Sequence, residues 1–122
     1  MTQLLAHLVG DYILQTDKMA TCKTSSWLWA IMHGLTYSLP FMLFCRSLPA
    51  LAVIAGSHIV IDRYRLARFV VAFKNRVTDW RGDFNTPTGY LASSPPWLAF
   101  WLLIIADNTI HLCINYAALR FL

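Results

Sequence analysis

The sequence predicts an all-α fold: a small polytopic membrane protein of about four helices, with a basic amphipathic extension on the cytoplasmic side. Three observations carry this expectation. Of 122 residues, 57% are hydrophobic and 13% charged, where soluble domains average about 45–50% apolar and 25% charged. Mean hydropathy is +0.50; a soluble chain this small has too much surface to cover with so few charges. The apolar residues also gather into long runs separated by short polar segments. A soluble enzyme and a disordered chain are both disfavoured, and residues 1–122 read as a single helical membrane domain.

The elements follow in order. Leu4 to about Gln15 is apolar but short for a span, which needs about 20 residues. Asp17 to Ser26 reads as a polar connection with Lys18 and Lys23. Trp27 to Cys45 has the length of a span and an aromatic entry, Trp27 and Trp29, suited to an interfacial belt. Arg46, Ser47 and Pro49 mark a tight turn. Leu48 to Ile61 is apolar again. From Asp62 the pattern changes: Arg63, Arg65, Arg68, Lys74 and Arg76 alternate with Leu66, Phe69, Val70, Val71 and Phe73, as in a helix that leaves the bilayer and continues along its surface. Asp79 to Pro96 holds two glycines and three prolines and reads mostly as loop. Its bland reading is a solvated connection; its alternative is a lid over the site. Trp97 to Leu122 is a long apolar helix with Pro96 in its first turn.

Charge sets the topology. The first and third connections carry Lys18, Lys23, Arg63, Arg65, Arg68, Lys74, Arg76 and Arg81, and the other side only Arg46 and Arg120. By the positive-inside rule the basic helix and loop, about 63–96, face the cytoplasm of a bacterial inner membrane and both termini lie outside. Nucleic-acid binding is disfavoured, because these cations follow topology and no nucleic-acid motif is present. No cleaved signal peptide is expected, since Met1 to Leu5 has no basic segment. Cys22, Cys45 and Cys113 share no CxxC spacing and read as buried thiols.

The polar residues that interrupt the apolar runs carry the chemistry. His7, Asp11 and Gln15 follow one another at intervals of four, as do His58 and Asp62, and Asp107 and His111; His33 stands alone in the second run. An i,i+4 pair lies on one helix face, one turn apart. At 1.5 Å per residue, Asp11, His33 and His58 lie roughly 7–9 Å from the cytoplasmic edge, His7 and Asp107 roughly 15 Å, and His111 roughly 20 Å. A carboxylate in hydrocarbon persists only against a partner, water or a cation. A lone histidine in such a run is commonly interhelical glue. The set points instead to a shared metal or proton site: His7, Asp11, His33, His58, Asp62, Asp107 and His111 around one or two divalent ions, Zn, Mn or Fe. Gln15 is balanced between supporting that site and linking helices.

The motif His7-Leu-Val-Gly-Asp11-Tyr-Ile-Leu-Gln15-Thr-Asp17, then Lys23, His33, His58-Ile-Val-Ile-Asp62 and Asp107-Asn-Thr-Ile-His111 resembles a domain-of-unknown-function family of small bacterial and phage membrane proteins. The resemblance covers nearly the whole chain. Many relatives carry Gln where this chain has Asn108, an amide of shorter reach that is not counted among the ligands. The His/Asp style is similar to that of membrane-bound metal-dependent hydrolases.

The leading functional expectation is therefore a metal-dependent hydrolase acting near the cytoplasmic face on a lipid or phosphate-containing substrate. A divalent ion would activate water and polarise a phosphoryl oxygen. Asp62, with Asp11, is the candidate catalytic carboxylate. Arg63, Arg65 and Arg68 are candidates to hold a substrate phosphate, against a topogenic or anionic-lipid role. Two alternatives stand beside it. One is metal-ion or proton transport, which the charge-free outer halves of the second and third helices disfavour within one protomer; a homo-oligomer would supply more wall. The other is a non-enzymatic interaction protein with a structural His/Asp site.

Overall fold

The computed structural model describes residues 2–122. All regular structure among them is helical: α1 (Thr2–Leu8), running into a π-helical turn (Val9–Ile13), α2 (Asp17–Cys22), α3 (Trp27–Ser38), running into a 3-10 turn (Leu39–Leu43), α4 (Leu48–Tyr64), α5 (Leu66–Asp79) and α6 (Pro96–Phe121). The chain divides into two compact units. The first runs to Tyr64 and takes in His111–Leu122; the second is Arg65–Ile110.

In the first unit, local chemistry sets each boundary. The π turn is closed by the Leu14 amide on the Val9 carbonyl at 2.9 Å. Gly10 lies within it because a Cβ there would stand 2.8 Å from the Tyr37 carbonyl oxygen. Thr16 caps α2 by accepting from the Met19 amide at 3.3 Å. Pro40 has no N–H to give, and α3 tightens into the 3-10 turn there. Ser47 accepts from the Ala50 amide at the start of α4 and donates to the Leu122 carbonyl at 3.0 Å. A small core of Ala6, Tyr37, Phe41, Cys45, Ala50, Ile54 and Ala118 holds the unit together.

The second unit is α5, the segment after it, and the first part of α6. Arg65 is in the left-handed region at φ 52°, so α4 does not continue into α5. Trp80 ends α5 in the same region, its amide bonded to the Asn75 carbonyl. The following segment folds back on α5. Gly82 and Gly89 approach its backbone so closely that a Cβ at either position would collide with a carbonyl oxygen, that of Ala72 and of Arg68 respectively. Gly82 and Tyr90 form an isolated antiparallel bridge. Arg65 donates to the Pro87 carbonyl at 3.3 Å, and the Lys74 ammonium lies 5.9 Å from the Tyr90 ring centre.

Several expectations change. Among the described residues one helix, α6, is long and apolar enough to cross a membrane, where the sequence suggests about four. The reason is length: α3 has 12 residues and α4 has 17, about 18 and 26 Å against a hydrocarbon core of about 30 Å. The connection from Asp17 contains a helix, α2. The basic segment is a separate helix, broken from α4 at Arg65. The segment after Asp79 is anchored to α5 rather than an open connection. Of the cysteines, Cys45 is buried, Cys22 half-buried and Cys113 exposed.

Candidate metal centre

Four side chains of the first unit converge: Asp11 from the π turn, His33 from α3, and His58 and Asp62 from α4. All four are buried. The convergence follows from close helix packing. Gly34, beside His33, faces α4, and a Cβ there would collide with the Ile59 side chain and lie 3.2 Å from the Ala55 carbonyl oxygen. A glycine at that crossing lets the backbones approach, and His33 and His58 meet with their Nε2 atoms 2.9 Å apart.

The distances have the pattern of a coordination shell. His33 Nε2 lies 3.3 Å from Asp11 Oδ1 and 3.2 Å from Asp62 Oδ2. His58 Nε2 lies 3.1 Å from Asp11 Oδ1 and 3.3 Å from Asp62 Oδ2. A tetrahedral ion with bonds of about 2.0–2.1 Å has ligand–ligand edges of about 3.3–3.4 Å. Five edges of the Asp11, His33, His58, Asp62 tetrahedron are thus close to the expected length, and all four ligand atoms lie within 4.8 Å of one another. Each ring presents Nε2 to the cluster; the two Nδ1 atoms are buried without a hydrogen-bond partner. Two imidazoles and two carboxylates also form a donor set that suits zinc, manganese or ferrous iron. The residues fit a divalent ion.

A second layer orients the first. His111 Nε2 lies 3.3 Å from Asp62 Oδ1, and His7 Nδ1 lies 3.5 Å from Asp11 Oδ2. Tyr37 Oη lies 2.8 Å from His7 Nδ1 and accepts from Asn115 Nδ2 at 2.6 Å, while its ring stacks on that of His58 at 3.6 Å. Partners of this kind fix the orientation of metal ligands. Lys23, at the end of α2, donates to Asp62 Oδ2 at 2.6 Å and to Gln15 Oε1 at 2.8 Å, and its Nζ is 3.4 Å from His33 Nε2. With neutral imidazoles, two carboxylates and one ammonium leave the cluster with one net negative charge, which a divalent cation more than offsets.

The chain matches the family described as protein of unknown function (DUF3307) over residues 1–106. It belongs to that family. No curated protein matches the chain, and no solved structure does. The family description assigns no activity, and the chemistry of this DUF3307 chain rests on the cluster itself.

Of the seven sequence-proposed ligands, Asp11, His33, His58 and Asp62 form the cluster, and His7 and His111 stand behind its carboxylates. Asp107 lies one turn before His111 on α6, in the second unit. The three candidate phosphate-binding arginines are engaged locally. Arg63 donates to the Thr24 carbonyl and lies 5.3 Å from the Trp27 ring; Arg65 holds Pro87; Arg68 lies 4.5 Å from the Phe69 ring centre. Sequence reasoning missed Lys23 as a site residue, along with Tyr37 and Asn115. The last two carried a signal already in use: Tyr37 follows His33, and Asn115 follows His111, by four residues. Lys23 stood in the resembling motif between Asp17 and His33 but at no helical spacing from its neighbours there, and its approach to Asp62 depends on where α2 turns.

Proposed function

We propose that this protein is a membrane-embedded metal-binding protein and acts as a metal-dependent hydrolase on a lipid or phosphate-containing substrate near the cytoplasmic face. The observation that carries the metal part is the set of five ligand–ligand distances of 2.9–3.3 Å among Asp11, His33, His58 and Asp62. Zinc, manganese or iron held there would supply Lewis acidity beside two carboxylates; because four protein ligands would fill a tetrahedral shell, turnover would need a fifth position or release of one carboxylate to admit water or substrate. Within the set, Asp11 and Asp62 complete the shell with His33 and His58, His7 and His111 hold the second carboxylate oxygens, and Lys23, with a side chain 20% exposed, is placed to meet an anionic group entering from solvent. Arg63, Arg65 and Arg68 would serve the substrate or anionic lipid from the basic segment.

The membrane part rests on an inverted distribution of polarity. In the first unit His7 and His33 are fully buried while Ile13 and Leu43 are 74% and 88% exposed. Water disfavours that arrangement and lipid favours it. The protein then sits as a multi-pass bundle in the bacterial inner membrane, α6 spanning it and the shorter helices accommodated by local thinning of the bilayer, with both termini outside and the basic segment in the cytoplasm. A homo-oligomer would widen the bundle's wall.

One observation favours a second reading. The Lys23 ammonium, 2.6 Å from Asp62, already offsets one carboxylate, so the cluster would then be a metal-free ion network in a proton path or a structural brace. One experiment separates the readings: hydrolysis of lipid-phosphate esters by metal-loaded protein in detergent, compared with the chelated protein and Asp62→Asn. Turnover that requires both the metal and Asp62 supports the hydrolase. Bound metal without turnover on any such ester leaves a structural or transport site, and absence of metal sinks the metal reading altogether.

A further inference from the structure

The second unit carries a surface that the metal site does not use. Leu66, Phe69, Val70, Phe73 and Val77 of α5 recur at helical spacing and occupy an arc of about 100°. Phe73 and Val77 are 64% and 62% exposed, and Trp80 at the helix end is 79% exposed. The opposite side of the helix is the packed one: Ala67, Val71 and Asn75 are buried, with Gly89 of the following segment placed where its Cβ would lie 3.1 Å from Val71 Cβ. α5 therefore buries its smaller residues against its own loop and presents its larger apolar ones outward, the reverse of a helix folded for water.

The charges say what covers that face. Residues 65–81 hold Arg65, Arg68, Lys74, Arg76 and Arg81 against a single acid, Asp79. At 100° per residue, Lys74 flanks one edge of the stripe and Arg76 the other, while Arg65 and Arg81 lie just beyond the two helix ends. An apolar stripe with aromatic residues, edged on both sides by cations, fits the boundary between acyl chains and anionic headgroups. A protein partner would have to match both cationic edges with acids along the length of the helix, whereas an anionic leaflet offers them at every point.

We infer that α5 lies in the plane of an anionic membrane surface, with Phe69, Val70, Phe73 and Val77 sunk to acyl depth and the flanking Arg and Lys on lipid phosphates. This deepens the membrane reading above and is independent of the metal. The helix serves as a cytoplasmic float that fixes the second unit at the headgroup level.

The test uses the full chain with Cys22, Cys45 and Cys113 replaced by Ala and a nitroxide placed by Phe73→Cys, Val77→Cys or Thr78→Cys. Each variant is reconstituted into vesicles of phosphatidylcholine alone, or with one third phosphatidylglycerol. Labels at 73 and 77 are expected to collide with oxygen dissolved in lipid, and the label at 78, away from the stripe, with an aqueous nickel complex. Wild-type protein gives a readout free of substitutions: trypsin cleavage at Arg68, Lys74 and Arg76 is expected to be about tenfold slower on the anionic vesicles, with the protection lost in high salt. Labels at 73 and 77 as water-accessible as the one at 78, or equal cleavage on both vesicles, would overturn the inference and point to a protein partner. An alkaline wash separates the two claims: release of chain whose α5 labels had been lipid-exposed refutes the multi-pass bundle but not the docked helix.

Discussion

Substituting Gly34 by alanine tests how the cluster is built. The added Cβ would collide with the Ile59 side chain and lie 3.2 Å from the Ala55 carbonyl oxygen, where ordinary contact is 3.4–4 Å. Ile59 can change rotamer, but Ala55 offers backbone, so α4 must recede from α3 by a few tenths of an ångström. His33 and His58 sit on those two helices with Nε2 atoms 2.9 Å apart, and metal–ligand distances tolerate about 0.2 Å. Overpacking of this kind costs about 1–3 kcal/mol. If the site carries that strain, metal affinity falls by about 5- to 150-fold. Gly56 on α4 supplies the control, since a Cβ there meets nothing within 4 Å; Gly56→Ala is expected to leave affinity unchanged and to stabilise the helix by about 0.5–1 kcal/mol. The assay is competition with a chromophoric chelator on detergent-purified protein. Equal affinity for Gly34→Ala and Gly56→Ala would refute the argument that close α3–α4 packing assembles the site.

Three further outcomes follow from the same geometry. Tyr37→Phe keeps the ring stacked on His58 but deprives the buried Asn115 amide of its acceptor; thermal unfolding should show a loss of about 1–3 kcal/mol, with metal stoichiometry retained. Metal binding should weaken on the acid side. His33 and His58 ligate only as neutral imidazoles, so protons compete with the metal for their Nε2 atoms: acidification should weaken binding and raising the pH should restore it; chelator competition between pH 8 and 5 reads this directly. Lys23→Met removes a cation 2.6 Å from Asp62; divalent affinity should rise by about tenfold or more through lost repulsion, while the metal-free protein loses stability in the same unfolding assay.

Much of the site was legible because its chemistry obeys helical spacing. His58 and Asp62 are one turn apart on α4, and the His7–Asp11 pair survives even though Asp11 falls in a π turn. That turn was not legible: nothing in Val-Gly-Asp-Tyr-Ile announces it, and its cause is tertiary, the approach of Gly10 to Tyr37. The break between α4 and α5 was hidden for a similar reason. Arg65 has no intrinsic taste for φ 52°, and the contact it makes there, to the Pro87 carbonyl, is not announced by any local pattern. The glycines at 82 and 89 were read as turn residues of a loop, and the structure adds that they are the contact points through which the segment closes onto α5. Helix length was overread at Trp27 to Cys45, where hydropathy is continuous but Pro40 ends regular α structure. Lys23 was assigned to topology because a positive-inside rule counts charges without asking what each one touches.

The most direct test of the account is elemental mass spectrometry of the chain purified without chelator, beside His58→Ala and Asp11→Asn. Four ligands serve one tetrahedral ion, so the account expects about one equivalent of zinc, manganese or iron in the wild type and little in either variant, with helical content retained in all three. Wild-type protein that holds no metal as purified, and takes up none when zinc, manganese or iron is added back, would contradict it.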